Sequence, residues 1–228
     1  MVHPAPSRTL VEARRHDTEG RILDAAMLVM TNQGVDALSI RRLSKELGCS
    51  VGAVYRYFPS KDAIIVGCQA RVIDALREDL ARARARRTGD DDPVGDLAQI
   101  LAGARMYASL PERRPVHFRL LGLTVGDPRQ LVQDEAGAAL RAPLSGLIRD
   151  VAARFDAAAA SGALAKADGP RRAMTFWAAL HGVLQTKKLG RFGFAGLDGD
   201  AEAGEELVET LLIGWGADPK SVGSAWRR

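Results

Sequence analysis

The stretch that decides the fold reads SIRRLSKELGCSVGAVYRYF, from Ser39 to Phe58. Ser39 and Ser50 can each cap the N-terminus of a short helix, and Gly48 can supply the tight turn between the two helices. Apolar residues at helical spacing can interlock them: Ile40, Leu43, Leu47, Val54 and Phe58. The pattern is typical of a helix-turn-helix, whose second helix can enter the major groove of DNA.

Helices are predicted on both sides of this segment. The first begins near Asp17 or Thr18, either of which can cap it, and ends at Gly34. A longer one follows Ser60, with apolar residues on one side at Ile64, Cys68, Val72, Leu76 and Leu80. Further helices are expected at about 94–109, 114–125, 128–160, 169–189 and 201–215, with a loop at Gly190–Gly204. Because runs of β-branched residues are nearly absent, the fold class is all-α.

Residues 18–66 resemble the DNA-binding domain of the TetR family of bacterial regulators. The resemblance rests on these residues, in order: Ile22, Leu23, Ala25, Ala26, Gly34, Ser39, Arg41, Leu43, Leu47, Gly48, Ser50, Gly52, Ala53, Tyr55, Tyr57, Phe58 and Lys61. Ser44 and Cys49 stand where alanine and valine are usual, and both are small enough for the turn. The resemblance implies a one-component transcription regulator, more often a repressor than an activator.

The resemblance also implies which residues meet DNA. They are Ser39, Arg41, Arg42, Ser50, Val51, Gly52, Ala53, Tyr55, Arg56, Tyr57 and Lys61. The two serines can cap helices and contact phosphate at once. Tyr55 can reach the DNA backbone or be partly buried in the domain core, and both readings stay open. Any one of the arginines could pair with guanine, and the sequence does not say which.

In TetR-like relatives the remaining helices bind a small molecule and pair two subunits. Candidates to line an effector site, expected to be apolar, are Met106, Tyr107, Phe118, Leu121, Phe155, Met174, Phe176 and Trp177, although such residues more often form plain core. The segment Trp177–Gly182 resembles a Trp-x3-His-Gly element that lies in a dimer-forming helix of one TetR subgroup. Candidates for the dimer interface are Trp177, His181, Leu184, Leu207, Leu211 and Trp215.

The domain organisation follows from these assignments. Residues 1–16 are expected to form a flexible arm, whose arginines either enter a minor groove or stay solvated. Residues 17–64 form the helix-turn-helix domain, and residues 65–228 the effector-binding and dimerisation domain. The polar stretch Thr88–Pro93 breaks the second of these ranges.

The distribution of charge and the cysteine content indicate which partner and which redox compartment suit the protein. Residues 1–88 carry 15 basic and 10 acidic side chains, whereas residues 89–228 carry 17 and 18. The N-terminal excess suits a polyanionic partner, although a solvated arginine-rich surface would look the same. Cys49 and Cys68 form no CxxC pair, which favours a reducing cytoplasm. Cys49 is expected to be a small buried residue rather than a redox switch.

Other functional classes find less support in the sequence. Catalytic motifs such as GxSxG and HExxH are absent, and no stretch is apolar enough to span a membrane. His117 and His181 are expected to be satisfied within the fold rather than to bind metal, and no cofactor is expected. The sequence therefore predicts a ligand-responsive, homodimeric repressor that binds double-stranded operator DNA and is not an enzyme. The alternative is a helical small-molecule-binding protein or enzyme without a DNA-dependent role.

Overall fold

A computed structural model describes residues 8–85, 92–124, 132–186 and 201–228. These ranges contain helices and no strand, in agreement with the all-α prediction. The α-helices are α1 (Arg8–Gln33), α2 (Ile40–Glu46), α3 (Val51–Tyr55), α4 (Lys61–Ala85), α5 (Pro93–Ala108), α6 (Leu110–Arg113), α7 (Pro115–Thr124), α8 (Asp134–Gly137), α9 (Arg141–Ala160), α10 (Gly169–Thr186), α11 (Ala201–Gly214) and α12 (Pro219–Arg227). Short 3₁₀ turns lie at Val35–Ala37 and Ala138–Leu140.

The contacts divide the chain into two compact units. The first unit comprises residues 1–72 and 116–140, and the second comprises residues 73–115 and 141–228. The grouping of residues 116–140 with the N-terminal unit has no counterpart in the sequence prediction. The predicted ranges 17–64 and 65–228 remain a prediction.

Helix α1 is longer than the sequence predicts. It begins at Arg8 rather than near Asp17, so the part of the expected flexible arm after Ser7 is helical. Residues 8–16 contain neither glycine nor proline, and an ion pair one turn apart, with 3.0 Å between Arg15 Nε and Glu19 Oε1, favours this helix. Residues 1–7 lie outside the described residues.

The core of the first unit is built where α1 meets α2, α3 and α4. Its most deeply buried side chains include Ile22, Met30, Leu38, Leu43, Val54 and Ile64. Gly67 permits a close approach of α4, because a Cβ atom there would lie 2.9 Å from Cδ2 of Leu23 and 3.2 Å from Cε1 of Phe58. Cys68 is also buried, and burial raises the pKa of its thiol to about 12.

The helix predicted over 128–160 is interrupted in the structure. Residues 125–131 lie outside the described ranges, α8 and a 3₁₀ turn occupy residues 134–140, and α9 begins at Arg141. Pro143 explains the interruption, since its ring would clash with the preceding turn inside a long helix but is tolerated in the first turn of α9. The predicted segment 114–125 corresponds to α7, which begins at Pro115, while α6 had no predicted counterpart.

The C-terminal end also differs from the prediction. Ala201–Gly204 belong to α11, in agreement with the helix predicted at 201–215 and not with the loop prediction that overlapped it, and residues 190–200 of the expected loop lie outside the described ranges. Helix α12 was not predicted. Its signal was present in the sequence, because Asp218 caps it, accepting a hydrogen bond from Ser221 N at 2.9 Å, and Pro219 occupies the first helical position.

The second unit is closed around α5, α9 and α10. Phe155 of α9 is 1% exposed and packs edge-to-face against Phe176 and Trp215, with ring centroids 5.5 and 5.6 Å apart. Asp79 of α4 is buried in the same unit. It accepts hydrogen bonds from Arg82 Nη2 at 2.6 Å and from Arg114 Nε at 2.8 Å, which satisfy its carboxylate.

Candidate functional site

The two short helices of the first unit are held by serine caps. Ser39 Oγ accepts a hydrogen bond from Arg42 N at 3.2 Å, and Ser50 Oγ accepts one from Ala53 N at 3.1 Å. Gly48 lies between the helices with φ +63°, in the left-handed region that favours glycine. Sequence and local geometry therefore agree on a helix–turn–helix over α2 and α3.

Apolar residues join the helices of this motif to the core. Leu43 and Val54 are completely buried and Ile40 is 8% exposed, whereas Leu47 is only half-buried. These positions fix the inner faces of α2 and α3. The exposed positions of the two helices, among them Arg41, Val51 and Tyr55, are left for solvent or for a partner.

Helix α3 presents an outer face of small and apolar groups. Val51 and Tyr55 are 38% and 51% exposed, and Gly52 and Arg56 are also exposed. The exposed half of Tyr55 leaves its side chain available to a ligand. Exposed large apolar groups on a short helix are typical of a recognition surface.

The neighbouring arginines of α2 differ in their surroundings. Arg41 is exposed and forms no ion pair with a described residue. Arg42 is half-buried, with 2.9 Å from its Nε to Glu46 Oε1 and 2.7 Å from its Nη1 to Gln33 Oε1. The bond to Gln33 ties α2 to the end of α1, so Arg42 is engaged in the fold while Arg41 is available to a partner.

A groove of about 510 Å³ collects many of the predicted DNA-contact residues. Its lining consists of Leu38, Ser39, Ile40, Arg41, Val51, Tyr55, Pro59, Ser60 and Lys61. Lys61 is the first residue of α4, and Ser60 caps that helix by accepting a hydrogen bond from Ala63 N at 3.0 Å. Cationic, hydroxyl and apolar groups thus share one concave surface, as contact with a phosphate backbone and base edges requires.

The remaining predicted contacts flank the groove or lie beyond it. Ser50, Gly52 and Arg56 are exposed, and Ala53 and Tyr57 are half-buried, but none of the five lines the groove. Pro59 and Ser60 line it, although the sequence analysis did not assign them to the DNA surface. The signal for Ser60 was its position beside Lys61 at a helix N-terminus.

The expectation for Cys49 was wrong. It is exposed, whereas the sequence analysis placed it among small buried residues. The reason is local, because the left-handed Gly48 reverses the chain and directs the next residue away from the core. Cys68 is the buried cysteine of the pair.

A polar cluster lies inside the second unit. The indole Nε1–H of Trp177 donates to the hydroxyl of Tyr107 at 2.9 Å, and that hydroxyl is 2.9 Å from Nδ1 of His181. Nε2 of His181 lies 3.1 Å from the Gln185 amide, and the rings of Trp177 and His181 stack with centroids 5.3 Å apart. Burial lowers the pKa of His181 and raises that of Tyr107 above its usual range, so both groups are neutral at pH 7.

The other predicted effector-site residues are distributed unevenly. Met106 is buried in the second unit, as are Phe155 and Phe176, which pack against each other. Phe118 and Leu121 are buried as well but belong to the first unit. Met174 is 44% exposed, so it does not belong with this buried set.

The predicted dimer residues do not all reach the surface. His181 and Leu184 are buried, Trp177, Leu207 and Leu211 are half-buried, and Trp215 packs in the aromatic cluster. The outer face of α10 instead carries Met174, Ala178 and Gly182, all exposed. A Cβ atom at Gly182 would meet nothing within 4 Å, so packing within the subunit does not require glycine there.

Metal and membrane sites are not found in the described ranges. No group of three or more histidine, cysteine or acidic side chains could hold a metal ion among these residues. None of the described helices combines the length and the apolar character needed to cross a bilayer.

Comparison with known proteins finds a family match within the first unit. The family described as "Bacterial regulatory proteins, tetR family" matches residues 22–68. The HTH-type transcriptional repressor KstR of Mycolicibacterium smegmatis is 33% identical over 72 residues, which cover 32% of this chain and 35% of KstR. An uncharacterized HTH-type transcriptional regulator of Mycobacterium tuberculosis, Rv0681, is 28% identical over 171 residues, 74% of this chain and 69% of that protein. The match thus spans about a third of the length of KstR and about two thirds of Rv0681.

Solved structures share the fold over most of the chain. A TetR family transcriptional regulator from Agrobacterium tumefaciens superposes with a TM-score of 0.65 at 18% identity, covering 88% of this chain and 98% of that one. SmeT, the repressor of the Stenotrophomonas maltophilia multidrug efflux pump SmeDEF, gives a TM-score of 0.58 at 20% identity, with 86% and 89% covered. At these identities the likeness concerns the fold, which is an N-terminal helix-turn-helix domain followed by a helical domain. Residues 22–68 thus match the tetR family of bacterial regulatory proteins, and the chain shares the fold of solved members of that family.

Proposed function

We propose that this protein is a transcriptional regulator, acting as a repressor in the cytoplasm, that binds an operator in double-stranded DNA. The observation that carries the proposal is the groove at α2, α3 and α4, where Arg41, Tyr55 and Lys61 share a surface with the cap residue Ser39. Lys61 and Arg41 supply positive charge to phosphates, and the exposed N-terminal residues of α3 face outward for base contacts.

Salt dependence of DNA binding tests this proposal. Affinity for duplex DNA should fall steeply as salt rises, because each neutralised phosphate releases counterions. Lys61→Ala should weaken binding to all sequences and reduce the salt slope by about 1. Lys166→Ala, which removes an exposed lysine of the second unit, is the matched control and should leave the slope unchanged. Binding without salt dependence, or equal slopes for wild type and Lys61→Ala, would contradict the assignment.

We also propose that the protein is a homodimer paired through the outer faces of α10 and α11. The support is the exposed stripe of Met174, Ala178 and Gly182 on α10, and Ile213 of α11, which is 42% exposed. Small residues permit close helix approach, and a two-fold dimer places its recognition helices roughly 34–36 Å apart, one turn of DNA. Light scattering at micromolar concentration should give twice the mass of the chain. Ile213→Glu should give monomers, whereas Leu144→Glu, at an equally exposed apolar residue of α9, should not.

The proposed switch is a small, mostly apolar effector that binds the second unit and lowers affinity for the operator. The support is the buried aromatic content of α5 and α10, where the Tyr107 hydroxyl and the Trp177 indole add polar groups to apolar surroundings. Compounds that raise the melting temperature of the free protein should weaken operator binding, with a coupling of about 5–150-fold. A compound that stabilises the protein and leaves operator affinity unchanged would refute this coupling.

A further inference from the structure

Arginine side chains collect in the second unit where α4 faces α9. Arg77 and Arg84 lie two turns apart on α4, and Asp150 and Arg154 lie one turn apart on α9. The Nε atom of Arg77 donates to Asp150 Oδ2 at 2.9 Å, and Nη1 of Arg84 donates to the main-chain oxygen of Asp150 at 3.0 Å. These four residues are called the arginine cluster below.

Positive charge in the arginine cluster exceeds negative charge. It has three guanidinium groups and one carboxylate, and that carboxylate pairs with Arg77. Within the described parts of the chain, neither Arg84 nor Arg154 forms an ion pair with an acidic side chain. Arg84 is half-buried, and buried arginines are normally matched by a carboxylate, so its positive charge is left to be balanced by an anion from outside the protein.

The hydrogen bonding of Arg84 shows this excess of positive charge most directly. Its Nε is shielded from water and has no hydrogen-bond partner. Burial, followed by the nearby charge of Arg154, lowers the pKa of Arg84 to about 10, against the opposing effect of Asp150. A shielded donor without an acceptor is costly, and such groups in native proteins often mark the place of a missing ion or water.

The free edge of Arg84 indicates the class of ligand. Because Nη1 is bonded to Asp150, the edge formed by Nε and Nη2 stays without an acceptor in the described structure. A guanidinium uses such an edge for two parallel hydrogen bonds to a carboxylate or a phosphate. Arg154 is exposed and lies near enough to Arg84 for its charge to act on that group, so it adds to the positive potential that an anion would meet. We propose that Arg84 and Arg154 bind the oxyanion group, carboxylate or phosphate, of a small molecule.

The test uses the full chain without DNA, so its outcome is independent of the proposed function. Thermal unfolding is followed in inorganic phosphate and in acetate at constant ionic strength, with chloride as the reference anion. We expect a saturable rise of the melting temperature, since a ligand at ten times its Kd favours the folded state about 11-fold. The response to phosphate and acetate should differ if the site prefers one oxyanion.

Variants of α9 separate a built site from general salt effects. Arg154→Gln should abolish the saturable response, while Arg149→Gln, which removes another exposed arginine of α9, should retain it. Arg154→Glu supplies a carboxylate beside Arg84. It should therefore raise the melting temperature in chloride and make the protein unresponsive to both oxyanions. A wild type without a saturable response, or an unchanged response in Arg154→Gln, would overturn the proposal.

Discussion

Replacement of Tyr107 by phenylalanine probes the polar cluster of the second unit with the loss of a single oxygen atom. In the native protein that oxygen accepts a hydrogen bond from Trp177 Nε1 and lies at hydrogen-bond distance from His181 Nδ1, both at 2.9 Å. Tyr107 and His181 are buried, and Trp177 is half-buried. The substitution keeps the ring and removes the partner of two nitrogen atoms on another helix.

The cost follows from the exposure of those two nitrogens. A buried polar group that loses its partner costs about 1–3 kcal/mol. We assign about 1–2 kcal/mol to His181 Nδ1, which water cannot easily reach, and about 1 kcal/mol to the more accessible Trp177 Nε1. The free energy of unfolding should fall by about 2–3 kcal/mol. A chain of this size loses roughly 2–4 °C of melting temperature per kcal/mol, so we expect a decrease of roughly 4–12 °C.

Circular dichroism and calorimetry measure this change, and indole fluorescence should report the altered surroundings of Trp177. The matched control is Tyr55→Phe, which removes a hydroxyl from a tyrosine that is 51% exposed and should leave the melting temperature within about 1 °C. If Tyr107→Phe is as stable as wild type, the hydrogen bonds through its hydroxyl do not stabilise the second unit, and the reasoning is refuted.

The other predictions concern titratable groups and thiols. Burial lowers the pKa of His181 from its usual value, so the unfolded chain binds the proton more readily than the folded chain. The melting temperature should therefore decrease as the pH falls below about 6.5, and the decrease should be smaller in His181→Gln. Burial alone would raise the pKa of Asp79, but hydrogen bonds from Arg82 and Arg114 lower it, so its contribution is present above about pH 4 and lost in acid. Asp79→Asn should lower the free energy of unfolding by about 2–3 kcal/mol at pH 7. Chemical denaturation at several pH values should also show that the variant loses less stability in acid than the wild type, and an equal loss would count against the ion pairs. A thiol reagent should modify Cys49 rapidly and Cys68 only after unfolding, and two fast thiols in the native protein would contradict this assignment.

The motif of the first unit could be predicted because its signals are local. Ser39 and Ser50 act as caps within three residues of their partners, and Gly48 adopts the left-handed conformation that its position requires. Such features depend on neighbours in the sequence rather than on tertiary packing. The hydrogen bonding of Arg42 could not be predicted in the same way, because its bond to Gln33 joins residues that are nine positions apart and lie on different helices.

Long-range packing accounts for what the sequence did not predict. Met174 was predicted to line an effector site and Trp215 to lie at the dimer interface, but periodicity could not tell which side of α10 turns toward the core or that Trp215 packs on Phe155. The grouping of residues 116–140 with the first unit likewise depends on contacts between distant segments. Pro143, in contrast, was a local signal that should have divided the helix predicted over 128–160.

Buried and exposed residues of α2 and α3 have separate roles, and this bears on how the protein could change the DNA sequence that it recognises. Caps, turn and buried leucine and valine side chains hold the motif together, while Arg41, Val51 and Arg56 are exposed and add little to that framework. Substitutions at exposed positions usually alter stability by less than about 0.5 kcal/mol. A lineage could therefore explore new DNA sequences at these three positions without first acquiring compensating mutations elsewhere, and a laboratory selection that randomises only them should return mostly folded variants.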